Sequence, residues 1–271
     1  MSRFPHRTLI RLTGPDTLAL LERTVTNSVQ NWREGETRYG ALLTPQGKVI
    51  ADYLARRLAD GVLLDVHEDA AEDLIKRLKM FRLRAQVEIA ADGALAAVTS
   101  EEGDDDPRSL KLWWRNYVPA AEAGEAIPEA NWRANRIAAG VPEWGEDYQA
   151  SDVFPTDINM DVMGGVDYKK GCFVGQEVAS RMKRRGKIRK RTLTVRGTAL
   201  EAGADILAAA PIGTVTSVEG ELGLALVRTD RLQKALAEGV ALTCNGQPVQ
   251  FDLPDWAKAE LDALASEAAD E

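Results

Sequence analysis

An α+β chain of two mixed units and a small C-terminal β-barrel is predicted by three observations. Residues 1–90 alternate strand-like and helix-like stretches, residues 91–190 hold a helix, a long polar loop and a cysteine motif, and from Thr192 onward short runs are separated by glycine-containing turns. The expected divisions are 1–90, 91–190 and 191–254, with an acidic tail over 255–271. At 271 residues, 45% hydrophobic and 28% charged, the chain can bury a sizeable core.

Arg7–Thr13 alternates apolar and polar side chains, the period of a half-buried strand. Gly14-Pro15-Asp16 breaks it and opens a helix with Leu18, Leu21 and Val25 at helical spacing. Strands are expected at Arg38–Leu43, Val49–Leu58 and Val62–Val66, joined through the turn residues of Thr44-Pro45-Gln46-Gly47 and Asp60-Gly61. Between Glu68 and Arg84, Ala71, Leu74, Ile75, Leu78 and Phe81 share one helix face, and a strand near Gln86–Ile89 closes the unit. In the second unit Leu95–Thr99 and Leu110–Trp114 read as strands flanking the acidic loop Glu101–Asp106. A helix around Trp132–Ala139 stops at Gly140, with Pro142 just beyond. Asp152–Gly165 is a long loop rich in Asp, Asn, Pro and Gly, of a kind uncommon unless it serves a site. The barrel strands are Thr192–Arg196, Gly213–Glu219, Leu222–Arg228, Val240–Cys244 and Gln247–Phe251, with one helix near Arg231–Glu238. Asp255–Glu271 reads as an acidic amphipathic helix or tail.

No run approaches the roughly 18 apolar residues of a membrane span. The first twelve residues lack the apolar core of a secretory signal. Cys172 and Cys244 cannot build a disulfide framework, and with only His6 and His67 besides, no structural zinc site is expected. These features point to a cytoplasmic protein with no dedicated metal and no membrane contact. A net charge of −8 argues against direct nucleic-acid binding. One strip runs the other way: Lys169, Lys170, Arg181, Lys183, Arg184, Arg185, Lys187, Arg189, Lys190 and Arg191 face a single acid, Glu177. Such a strip either keeps the surface solvated or steers anions toward one place.

The most informative stretch is Lys170-Gly171-Cys172-Phe173-Val174-Gly175-Gln176-Glu177. A cysteine acts as nucleophile or ligand only as the thiolate, which nearby cations favour. Lone cysteines in soluble proteins are usually small core residues; here the flanking glycines and cations favour a working thiol. Cys244, beside Asn245-Gly246 in a barrel strand, has no such context and reads as core.

That segment, extended back to Gly164, resembles the YgfZ branch of the folate-binding aminomethyltransferase-like family, which includes a mitochondrial iron–sulfur assembly factor. All eight positions of the branch's Lys-Gly-Cys-aromatic-x-Gly-Gln-Glu pattern are present. Gly14-Pro15-Asp16, the Arg136…Gly140-Val141-Pro142 helix end, Phe154–Met160 and Pro211–Ser217 are similar as well, so the likeness covers most of the chain. It implies a ring of two α/β subdomains and a β-barrel around a central channel that binds tetrahydrofolate or another folate. The glycine-cleavage aminomethyltransferases of the family carry paired aspartates where this chain has Ala51 and Asp52, and they lack the cysteine motif.

What the resemblance implies is an accessory protein for the assembly or repair of iron–sulfur enzymes, tRNA-modifying ones included. Its partners would be those enzymes or cluster carrier proteins. The alternative is a tetrahydrofolate-dependent aminomethyl or one-carbon transferase. Folate asks for a carboxylate or amide at its amino-pyrimidine edge, apolar walls, and cations for its glutamate tail. Asp157, Asn159, Glu177 and Asp52 are candidates for the first, and Lys170, Gln176 and Arg181 complete the expected contacts. Asp157 stands where many relatives carry Glu. Each residue has a structural alternative: Asp157 and Asn159 as turn caps, Glu177 as a charge at a helix start. Cys172 is expected at the channel rim, either as one ligand of a cluster shared with a partner's thiols or as a partner in a mixed disulfide.

Overall fold

A computed structural model describes residues 1–184 and 188–270. Arg185 and Lys187 of the basic strip, and Glu271 at the end of the tail, lie outside the described residues. The chain opens with β1 (Ser2–Arg3), β2 (Arg7–Thr13), α1 (Thr17–Thr24), β3 (Thr37–Leu43), β4 (Val49–Leu58), β5 (Gly61–His67), α2 (Glu68–Arg82) and β6 (Glu88–Ala91). The strands pair antiparallel in the order β3-β4-β5-β2-β6. Every residue of β5 is buried, because the strand lies inside this sheet with covered faces on both sides. Helix α2 packs on the sheet through Ala70, Ala71, Leu74 and Leu78, and its acidic first turn and basic last turn complement the helix dipole.

A three-stranded sheet follows, β1-β7-β8, from β7 (Leu95–Thr99) and β8 (Asn116–Pro119). The chain's first strand therefore crosses over: Ser2 pairs with Thr99 and Arg3 with Val98. Leu110–Trp114 is not a strand. Ser109 and Leu112 close turns onto Asp106 and Ser109, Leu110 stays exposed, and the strand that pairs with β7 begins at Asn116. The apolar run that suggested a strand instead seats Leu112 in the cluster formed with Phe4, Leu63 and Trp132.

Helix α3 (Glu129–Ala139) ends at Gly140, whose φ of +72° is the left-handed cap foreseen for it. Helix α4 (Gln176–Arg184) follows the cysteine motif. The last sheet has seven strands in the order β14-β13-β10-β11-β12-β9-β15. They are β9 (Lys190–Arg196), β10 (Asp205–Leu207), β11 (Pro211–Glu219), β12 (Leu222–Arg228), β13 (Thr243–Cys244), β14 (Gln247–Pro248) and β15 (Gln250–Asp252), with α5 (Thr229–Ala237) after β12 and α6 (Asp255–Asp270) at the end. Val240–Cys244 contributes only its last two residues to the sheet, and Gln247–Phe251 is split in two. The split marks a change of partner: Gln247–Pro248 pairs with β13, and Gln250–Asp252 pairs with β9. Cys244 is fully buried among the barrel's apolar side chains.

Charge joins the parts. Arg7 binds Asp65 at 2.6 Å and Glu143 at 3.0 Å, Arg115 binds Asp65 at 2.5 Å, and Arg108 binds Asp106 at 2.8 Å, all nearly devoid of solvent. Arg136, wholly buried, holds Asp147 at 2.5 Å, and the other oxygen of Asp147 accepts hydrogen bonds from Thr216 and Ser217 of β11. That second link ties α3 to the barrel.

Candidate functional site

Cys172 is exposed, and the motif around it is a set of fastenings. Asp167 donates its backbone N–H to Thr26 O, and its Oδ1 accepts the N–H groups of Lys169 and Lys170. The side chain of Lys170 turns inward: Nζ donates to the carbonyls of Val25 at 2.9 Å and Asn27 at 2.7 Å, and lies 3.7 Å from Glu22. Burial holds the Lys170 ammonium below the usual lysine range. Phe173 is buried in the main core. Gly175 has φ +78°, and a Cβ there would stand 2.5 Å from the carbonyl of Thr44, so only glycine lets α4 start this close to the turn before β4. Gln176 donates from Nε2 to Lys170 O at 3.3 Å, closing the loop on itself. Between these fastenings Gly171 and Cys172 alone face fully into water.

A cavity of about 240 Å³ lies where the second unit, the long loop and the barrel meet. Arg108 and Lys111 line it from the second unit, Asn159 and Met163 from the loop, Thr192 and Trp256 from the barrel and α6. Asn159 sits at φ +62°, a conformation asparagine tolerates better than most residues. Its Nδ2 donates to Thr192 O at 2.7 Å, while its Oδ1 is buried and has no hydrogen-bond partner. A buried orphan acceptor on a cavity wall is costly unless something fills its need. Arg108 commits Nε and Nη2 to Asp106 and keeps its guanidinium on the wall.

The expected ligand contacts are thus dispersed, and of the seven only Asn159 lines this cavity. Asp157 is buried beside it in sequence; its Oδ2 caps the N–H of Phe154 at 2.9 Å, and burial pushes its carboxyl up. Asp52 is sealed in the first sheet and accepts a 2.6 Å bond from the Tyr148 hydroxyl, with burial again raising its carboxyl. Ala51 beside it is also fully buried. Lys170 and Gln176 serve the loop. Glu177 and Arg181 pair with each other at 2.9 Å on the exposed face of α4.

The basic strip divides as well. Arg191 is no surface cation: it is buried, 2.6 Å from Asp161 and 2.5 Å from Glu260 of α6, because β9 carries it into the barrel wall. Lys169, Arg181, Lys183, Arg189 and Lys190 remain exposed. Sequence reasoning missed Arg108, Lys111 and Trp256. Arg108 sits just past the acidic loop with no motif around it, and Trp256 in a tail with no motif of its own. Among the described residues no group of three or more His, Cys, Asp or Glu is arranged to hold a metal ion, and no helix is long and apolar enough to cross a membrane.

Two family models match the chain: the GCVT N-terminal domain over residues 5–100 and the CAF17 C-terminal beta-barrel domain over residues 189–259. The curated relatives include the iron–sulfur cluster assembly factor IBA57 homolog, mitochondrial, of Pyricularia oryzae. It is 32% identical over 214 residues, 69% of this chain and 54% of that protein. The Mycosarcoma maydis homolog is 29% identical over 70% of this chain and 55% of its own length. The human iron–sulfur cluster assembly factor IBA57, mitochondrial, is 26% identical over 94% of this chain and 84% of its own. The match thus spans about half the length of the two fungal relatives and most of the human one. Among solved structures, glycine cleavage system aminomethyltransferase T from Bartonella henselae superposes with a TM-score of 0.72 at 15% identity, over 92% of this chain and 83% of that one, which establishes the fold. These relatives are mitochondrial by name, which overturns the expected cytoplasmic location. The two domain matches, the relatives and the shared fold together support a GcvT-like protein on the branch of the iron–sulfur cluster assembly factors.

Proposed function

We propose that this protein is an accessory factor in the assembly or repair of iron–sulfur enzymes, tRNA-modifying ones among them, with Cys172 as its working thiol and a tetrahydrofolate-type ligand in the cavity. The observation that carries this reading is the thiol loop, in which six neighbouring residues are spent on presenting one exposed sulfur. A single thiolate cannot complete a cluster, so the remaining ligands come from a carrier or client protein. The relatives' names support the same assignment.

The cavity meets the demands of a folate with its own residues. Asn159 Oδ1 offers an acceptor to the amino-pyrimidine edge, Val162, Met163, Leu193 and Trp256 give apolar walls, and Arg108 and Lys111 suit the carboxylates of the tail. Its volume, about 240 Å³, is below the roughly 300–1,000 Å³ of sites that enclose a whole drug-sized ligand. On the proposed reading the bicyclic ring is the part enclosed, with the tail outside. The transferase alternative draws no support from Asp52, whose carboxylate is sealed against Tyr148 with only Ala51 beside it.

In cells carrying Cys172→Ser, cluster-dependent enzymes should lose activity under oxidative stress; wild-type activity would sink the role of the thiol. Titration of the pure protein with tetrahydrofolate should change the fluorescence of Trp256. Asn159→Leu should weaken that binding about tenfold, near 1.4 kcal/mol. A variant that binds like wild type would remove the ligand from this cavity.

A further inference from the structure

We propose that Lys170 is the positioning residue for Cys172: its ammonium tethers the loop to the carboxyl end of α1, and this tether fixes where the sulfur stands. The inference rests on the role proposed for Cys172. A lysine two residues from a reactive thiol invites the reading of a surface cation acting on the sulfur or gripping an anion. The geometry points elsewhere. The Lys170 side chain has 0% exposure. The three protons of its ammonium face two backbone carbonyls, Val25 O and Asn27 O, and the carboxylate of Glu22. Val25 is the residue on which α1 ends, so the cation sits at the negative end of the helix dipole. A buried ammonium is tolerated only when so satisfied, and its removal leaves those carbonyls without their donor.

The stretch between Lys170 and Phe173 has two fixed ends, and its two residues, Gly171 and Cys172, are exposed. Phe173 is anchored in the core, Lys170 under α1, and a Cβ added at Gly171 would meet no atom within 4 Å. The arch that carries Cys172 is therefore not held by packing of its own. Its shape is set by its ends, and the Lys170 end hangs on a side chain rather than on sheet or helix pairing. Gln176, bonded to the carbonyl of Lys170, transmits the same position to the start of α4.

Cys172 is exposed and Cys244 buried, so a nitroxide attached to the full-length protein reports on this loop. Lys170→Met keeps the bulk of the side chain and removes its donors. The expected result is a severalfold gain in label mobility, an unchanged far-ultraviolet circular dichroism spectrum, and loss of support for cluster-dependent enzymes in cells. A folded Lys170→Met protein whose label moves as in wild type overturns the tether. Should that variant not fold, Lys170→Gln, which retains an N–H donor at shorter reach, is read the same way: gained mobility supports the tether and unchanged mobility overturns it. In cells, inactive Cys172→Ser beside fully active Lys170→Met sinks the tether alone. Both variants at wild-type activity sink the role of the thiol itself.

Discussion

Around Cys172 the chain is held by backbone carbonyls, one buried ammonium and a glycine pressed against a neighbouring turn. Around the cavity it is held by carboxylates and guanidiniums: Asp106 grips Arg108, and Arg191 joins Asp161 to Glu260. The first arrangement projects one side chain outward. The second encloses a hollow and leaves one buried amide oxygen, on Asn159, without a partner. Display and enclosure thus use different physics within one chain. A motif of eight residues suffices for the first, because its contacts are short in sequence or fall on one turn and one helix end. The second needs groups from three distant segments, and of these only Asn159 falls in a segment the sequence singled out.

The two regions should therefore fail separately. Gly175→Ala strikes the loop: its Cβ would meet Thr44 O at 2.5 Å with φ at +78°, so a loss of about 3 kcal/mol in unfolding free energy is expected by denaturant titration. The same change should leave the affinity of the cavity for folate at its wild-type value in whatever fraction stays folded.

Acid should strike the cavity side first. The Arg108 guanidinium beside Asp106 outweighs burial and holds its carboxyl at about 2, below its ordinary 3.8. A carboxyl depressed on folding adds stability at pH above 3.8, and that stability disappears as pH falls toward 2. For Asp106 the amount is about 2 kcal/mol. Asp52 and Asp157 are raised by burial, so their contribution has the opposite sign: their protonation favours the folded chain as pH falls through their raised values. Stability measured between pH 5 and pH 2 should fall with Asp106→Asn abolishing part of that slope, while a label on Cys172 reports no loosening until the chain unfolds. Loosening of the loop ahead of global unfolding would erase the distinction between the two regions.

The smallest effect is expected on the exposed face of α4. Glu177→Ala breaks a solvent-facing pair with Arg181 and should change stability by less than about 0.5 kcal/mol. Folate titration should be unaffected. A large loss of affinity would return Glu177 to the ligand and require the helix to lie against the cavity.

Most of the fold was legible because local chemistry wrote it. Val49–Leu58 and Leu222–Arg228 read as strands from short runs bounded by turn residues, and both bounds hold in the structure. Leu110–Trp114 misled because a short apolar run cannot distinguish a strand from a loop whose apolar residues seat in a core; what decided it was the pairing of β7 with Asn116–Pro119. Lys170 and Arg191 misled in the same way. Formal charge reads as surface, yet one ammonium lies under a helix end and one guanidinium inside the barrel wall.

By itself the sequence determined most strands of the first and last sheets, the glycine stop of α3, the buried place of Cys244 and the segment that exposes Cys172. Each is fixed by propensity, period or steric demand within a few residues. Only the tertiary structure decided which polar groups face the hollow and which are consumed in holding it. Asn159, Arg108 and Trp256 converge from separate segments, and the energy that brings them together is long-range burial and charge pairing, which leaves no local trace in the order of residues.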